Sequence, residues 1–317
     1  MPLLRINVCD TQIVDPDALL GTLRRTLAVL PAQSPIILLT HGYKFSPFYA
    51  HRSPHRHILS LNKQSSDTKM VSWPRKLGVD AETGSPEPLC IAIGWEARGT
   101  FWHAYRRARK AGQATAHLVQ LLRRMRPGKP VDVMAHSLGA RVVLSALPLL
   151  ASGDIGRAIL LAPAELRSRA IGSLNSPAGR AAEFLSVTSG ENLIFDKLLE
   201  WGVGPHLFGD RAMGKIVSGG TRPEAQNWTT LRIDDVATLD SLEQLGYPVA
   251  APDRRICHWS VYRRRGLFPL YRDLFQRDIH LNRLAAVLPS AVAPCHSIWP
   301  AWTERPLTAP KPTHSQA

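Results

Sequence analysis

Paired cysteines are the first thing this sequence lacks. Four cysteines occur in 317 residues, Cys9, Cys90, Cys257 and Cys295, far apart and with no C-x-x-C spacing. That argues against a disulfide framework or a cysteine-zinc site, and it suits a reducing cytoplasm. No window reaches about 18 uninterrupted apolar residues, so no membrane span is expected. Met1-Pro2-Leu3-Leu4-Arg5 has neither the basic start nor the apolar run of a secretion signal, so export is not expected. Negative charge is also scarce. Asp and Glu number 25 against 39 Lys and Arg, a net charge of +14. The excess is mostly arginine, clustered at Arg106/Arg107/Arg109/Lys110, Arg123/Arg124/Arg126 and Arg263/Arg264/Arg265. No nucleic-acid motif or aromatic–basic interleaving accompanies it, so no nucleic-acid partner is expected. A solvated basic surface, or one that contacts anionic surfaces, accounts for the clusters.

What is present is an alternation of apolar strands and helices. Leu3–Val8 reads as a short strand. Asp15-Pro16 opens a helix, with Asp15 as N-cap and a stripe through Leu19, Leu23, Leu27 and Leu30. The continuous run 35–40 suits a strand buried on both faces and ends in His41-Gly42-Tyr43-Lys44. Residues 45–87 form a long polar excursion of the kind that makes lids and binding loops. Strands follow at 90–95, 131–135, 156–162, 184–189 and 229–233, with helices over 101–126, from 138 to about 150, and over 193–201. Residues 266–288 read as helical, with Pro269 at a break or start. This order predicts an α/β fold, a mostly parallel sheet with helices on both faces. One domain is expected over 1–299, with a disordered proline-rich tail over 300–317. No internal repeat is visible.

The chemistry centres on Ala135-His136-Ser137-Leu138-Gly139. A strand enters this stretch and a helix leaves it at once. Small residues flank the serine because a sharp turn brings the two backbones close together. A serine at that apex is lifted above the sheet edge as a nucleophile. The Leu138 N–H, at a helix N-terminus, is the natural first oxyanion donor. The second is expected from the loop after an earlier strand, and the Tyr43 N–H, after Gly42, fits.

With these features in order, the sequence resembles the α/β-hydrolase superfamily over most of residues 35–265. More narrowly, HGYKF, GWEARGT and DRRICHWSVY resemble bacterial α/β hydrolases without an assigned substrate. The resemblance implies a Ser–acid–His triad in that chain order and hydrolysis of an ester-like bond, carboxylic ester or thioester. His258, on a late loop, fits the base. His280 competes, but sits in a helical pattern, and His136 and His103 read as packing residues. The resemblance places the acid just after strand 184–189, beside Asn192, where this chain has Leu193. Glu191 and Asp196 are then the leading candidates, ahead of Glu165, Asp234 and Asp235.

His51, His55 and His57 have a spacing that could ligate zinc. No carboxylate lies near them, and Arg52 and Arg56 would repel a cation, so no metal is expected. No cofactor is implied. Lys44, Phe45, Phe48, Tyr49, Trp73, Trp95, Trp259 and Tyr262 are candidates for shaping the pocket, with a packed core as the alternative. The expected partner is a small acyl substrate of unspecified chain length. Acyl transfer to an alcohol or thiol would use the same residues, and a non-catalytic binding module is the alternative that Leu193 favours.

Overall fold

The computed structural model describes residues 3–61, 71–80, 87–203, 210–213, 227–251 and 256–289, excepting the side chains of 193, 194, 198, 201 and 202. The tail expected over 300–317, Cys295 and most of 202–228 lie outside the described residues.

The chain opens with β1 (Leu3–Cys9) and a two-residue antiparallel partner, β2 (Gln12–Ile13). Helix α1 (Pro16–Val29) follows. Its expected N-cap is corrected in one respect. Asp15 adopts a left-handed conformation, φ 53°, to turn the chain out of β2, and its side chain makes no capping bond. β3 (Ile36–Thr40), β4 (Leu89–Trp95) and β5 (Val131–His136) are buried at every position, as uninterrupted apolar runs should be.

Between β3 and β4 lies the excursion. Its described part contains two short 3-10 turns and helix α2 (Trp73–Lys76), which Ser72 caps through the Arg75 N–H. Ile58, Leu59, Trp73, Leu77 and Val79 are buried here and pack on the sheet with Ile37, Leu39 and Cys90. This part of the excursion is a covering layer of the core. Single turns of helix carry no periodicity, so the sequence pattern reads as loop.

Helix α3 (Phe101–Met125), capped by Thr100, connects β4 to β5, and α4 (Leu138–Ala146) leaves β5 directly. A 3-10 turn at Leu147–Leu149, containing Pro148, ends α4 short of residue 150. Then come β6 (Ile155–Leu161), α5 (Arg167–Leu174), α6 (Pro177–Ala181), β7 (Glu183–Thr188), α7 (Leu193–Val203) and β8 (Trp228–Arg232). The chain finishes with α8 (Val236–Gln244), α9 (Ser260–Arg263), α10 (Leu267–Gln276) and α11 (Leu281–Val287). The expected helix over 266–288 is thus two helices. Arg277, at φ 69°, breaks it, and its guanidinium bonds Asp132 at 2.8 Å.

The eight strands form one sheet in the order β2-β1-β4-β3-β5-β6-β7-β8, parallel except for β2. Alternate strand residues feed two cores. Ile6, Leu38, Ile91, Val133, Leu160 and Phe184 meet α1, α3, α4, α5 and α6. Leu39, Ala92, Met134, Ile159, Leu185 and Leu231 meet the excursion, α8, α9, α10 and α11. The crossovers change direction between β3 and β5. The connections leaving the carboxyl ends of those two neighbours therefore run to opposite sides, and such a switch point is the place where open α/β sheets bind ligands. The loop after β3 begins at His41, and the turn after β5 is Ser137.

Candidate active site

Ser137 has φ 55° and ψ −124°, a conformation that costs a non-glycine residue on the order of 1–3 kcal/mol. It persists because its backbone is held on both sides. The Ser137 N–H donates to Leu161 O at 2.9 Å, and Ser137 O accepts from the amides of Ala140 (3.0 Å) and Ala164 (3.1 Å). The flanking glycines have steric reasons. A Cβ on Gly139 would lie 2.7 Å from His41 O and 2.9 Å from Thr40 O, so only glycine lets α4 start against the end of β3. A Cβ on Gly42 would lie 2.6 Å from Ser137 Cβ, which places the loop after β3 directly against the serine.

That loop is tied down independently. Trp95 N–H donates to His41 Nε2 (3.1 Å), so the Nδ1 proton of His41 is the one that donates to Gly42 O (2.9 Å). The Trp95 indole stacks on the imidazole and donates to His41 O. Burial lowers the pKa of His41 to about 3, so it stays neutral as a structural peg. Lys44 N–H donates to Ala97 O and Ala97 N–H to Phe45 O, each at 2.9 Å, which fixes the chain immediately after Tyr43. The Tyr43 hydroxyl donates to Gly99 O at 2.6 Å.

His258 sits on the turn before α9. Its Nδ1 lies 2.5 Å from Asn192 Oδ1, and the Asn192 amide in turn donates to Asp196 Oδ1 at 3.0 Å. Phe195 stacks on one side of the ring at 4.4 Å, and His136 packs on it at 4.6 Å. His136 Nε2–H also donates to His258 O (3.0 Å), and Tyr262 meets the His136 ring edge-on. Burial, then the neighbouring His136, hold the His258 pKa well below its ordinary 6.5. Burial likewise lowers His136 to about 4. The residue before the serine therefore positions the loop that carries the second histidine.

Residues 28–164 match a family model described as an alpha/beta hydrolase of unknown function, DUF900. With the strand order and the serine turn described above, the assignment of the fold follows. This is an α/β-hydrolase fold. The mature lipase BlEst2 of Bacillus licheniformis is 13% identical, with 78% of this chain and 94% of that one covered at a TM-score of 0.41. Its propeptide form gives 13%, 78%, 51% and 0.40 for the same quantities. The phospholipase PlaB of Legionella pneumophila, solved with thio-NAD, is 14% identical over 52% of this chain and 40% of that one, with a TM-score of 0.27. No curated protein matches the chain.

Within this hydrolase fold the candidate acids separate clearly. Glu191 pairs, buried, with Arg264, which also donates to Ile233 O. Glu191 O accepts from Cys257 N–H at 3.3 Å. The pair thus clips the end of β7 to the histidine loop. Asp196 is linked to the histidine through Asn192. Glu165 accepts from Arg141 and the Tyr105 hydroxyl, each at 2.5 Å, and so braces α4. Asp234 pairs with Arg232, and Asp235 caps α8. His280 begins α11, and His103 bonds Thr100 at the start of α3.

Asn192 is the site residue that the sequence reading did not single out. Its neighbour position drew attention as the place for an acid, but an amide carries no charge signal. The three loop histidines do not converge. His51 is exposed, His55 bonds Asn7 Oδ1 at 2.8 Å, and His57 packs on Phe45. Among the described residues no three His, Cys, Asp or Glu side chains are grouped as a metal site would need, and no helix is long and apolar enough to cross a membrane. Trp73 and Trp95 are buried in the core, Tyr262 is buried beside His136, and Trp259 is exposed next to His258.

The position of Glu191 yields a prediction. Glu191→Gln leaves the Arg264 charge buried without its counter-ion, so it should cost about 3 kcal/mol, read as a lowered urea midpoint. The pH profile of any turnover should keep its shape. A shifted acid limb with unchanged stability would mean that Glu191 acts on His258 after all.

Proposed function

We propose that this protein is a serine hydrolase of ester-like bonds. Ser137 attacks the acyl carbonyl, and His258 accepts its proton through Nε2. The tetrahedral intermediate places its oxyanion against the N–H groups of Leu138 and Tyr43. His258 returns the proton to the leaving group, and water then resolves the acyl-enzyme by the same route. The single observation that carries this reading is the strained backbone of Ser137 at the point between β3 and β5 where the strand order reverses. Leu138 supports it as the first residue of α4, because intrahelical bonds leave helix-start amides open. The Gly42 contact supports the Tyr43 assignment by bringing that loop against the serine.

Labelling with a fluorophosphonate probe tests the proposal. The wild-type chain should label and hydrolyse an activated ester, and Ser137→Ala should do neither. Equal labelling of the two would remove Ser137 from the mechanism. One observation favours a second reading, a binding module that has lost turnover: His258 faces an amide where a carboxylate would better stabilise an imidazolium. An unlabelled wild type with no turnover across esters of increasing acyl length would decide for it. Transfer of the acyl group to an alcohol or thiol would show in the products.

A further inference from the structure

We propose that Asn192 and Asp196 act together as the positioning pair for His258, doing in two steps what one carboxylate does in a Ser–His–acid site. This rests on Ser137 and His258 being nucleophile and base. The argument is one of donors and acceptors. Asn192 donates to Asp196 Oδ1 at 3.0 Å, and an amide donates only through nitrogen, so the group it turns toward Asp196 is its NH₂. The Asn192 carbonyl oxygen must then face His258 Nδ1, at 2.5 Å. A carbonyl only accepts, so Nδ1 carries the proton. The Nε2 lone pair is thereby left to take the proton of Ser137.

Without Asp196 this logic fails. An asparagine side chain has nearly the same shape when its oxygen and nitrogen are exchanged. Flipped, it would offer N–H to Nδ1, place the imidazole proton on Nε2 and leave the histidine unable to act as base. Asp196 therefore decides the tautomer of a ring that it does not touch. The spacing makes this geometrically ordinary. Asn192 closes the 3-10 turn after β7, Asp196 lies in the first turn of α7, and residues four apart face one another along a helix. Asn192 N–H donates to Ser189 O at 2.9 Å, which fixes the amide from its backbone side. Both side chains are buried, so water does not compete for either bond. Phe195 from the same turn, stacked on the ring, and His136, bonded to His258 O, fix the ring plane.

The test compares Asp196→Asn with the exchange N192D/D196N in the full-length chain. The exchange keeps the net charge but puts the carboxylate directly on His258 Nδ1. Heteronuclear NMR of the resting protein reads the His258 tautomer, whether or not the chain turns over. Wild type should show the Nδ1–H form. D196N should show a mixture and lose roughly 10- to 100-fold in kcat/KM, less than the roughly four orders expected of a histidine held wholly in the wrong tautomer. The exchange variant should recover the Nδ1–H form and at least tenfold of that loss. Its acid limb should move upward by about one pH unit, because a carboxylate in contact favours the imidazolium. An Nε2–H tautomer in wild type would overturn the pair, as would a D196N variant with unchanged tautomer and profile. A chain that shows the tautomer change but never labels at Ser137 would overturn the hydrolase reading alone. One that labels yet keeps its tautomer in D196N would overturn the pair alone.

Discussion

His258→Ala should lower kcat/KM for an activated ester by roughly 10⁴- to 10⁶-fold, the largest activity effect expected of any substitution in the chain outside Ser137. The fold should survive, because His258 lies on a partly buried turn held separately by the Glu191–Arg264 pair and the Cys257 amide. The residual rate would come from the oxyanion amides and binding alone. The same histidine sets the pH dependence. Only its neutral form can take the serine proton, and burial and His136 hold its pKa well below 6.5. The acid limb of kcat/KM should therefore lie below pH 6.5, with no loss between pH 7 and that limb. Steady-state rates across pH for wild type and His258→Ala check both points. A limb near 7, or a substitution costing less than tenfold, would take His258 out of the base role.

Acid should unfold this protein early, through its buried histidines. His41, His55 and His136 have pKa values lowered to about 3, 4 and 4, in each case chiefly by burial. The sign follows from proton counting. Below about 6.5 the unfolded chain binds protons at these rings and the folded chain does not, so stability falls as pH falls. The loss begins at the unfolded value and continues to the folded ones, about pH 4 for His55 and His136 and about pH 3 for His41. At pH 5 each ring costs about 2 kcal/mol relative to neutral pH, on the order of 6 kcal/mol for the three. That rivals the whole stability of an ordinary domain. Urea midpoints measured between pH 7 and 4.5 should drop steeply. His55→Gln, which can still bond Asn7, should narrow the gap at pH 5 while costing a little at pH 7. A midpoint flat from pH 7 to 5 would show that these rings titrate normally.

These expectations rest on residues that differ in how readable they are. The strained turn at Ser137 was legible because a sharp strand-to-helix turn needs three local things together: an apolar strand, small flanking residues and a helix that starts immediately. All three lie within a dozen residues. The parallel strands were legible for a similar reason, since strands buried on both faces must be apolar throughout. The excursion misled because its buried part uses turns too short for periodicity, and Asp15 misled because its cap depends on φ rather than on residue type. The acid was the hardest case. Glu191, Asp196 and Glu165 are all carboxylates near strand ends. Their roles separate only through partners 73, 4 and 24 residues away in the chain: Arg264, Asn192 and Arg141.

The sequence by itself therefore determined the sheet, the serine on its turn and the histidine loop, because each is written in local pattern. Tertiary structure alone decided which groups face that histidine. A hydrogen-bond partner is chosen by where two distant segments meet, and no periodicity or motif records that meeting. It set Glu191 on an arginine, put an amide against His258, and placed the Asp196 carboxylate one bond further back.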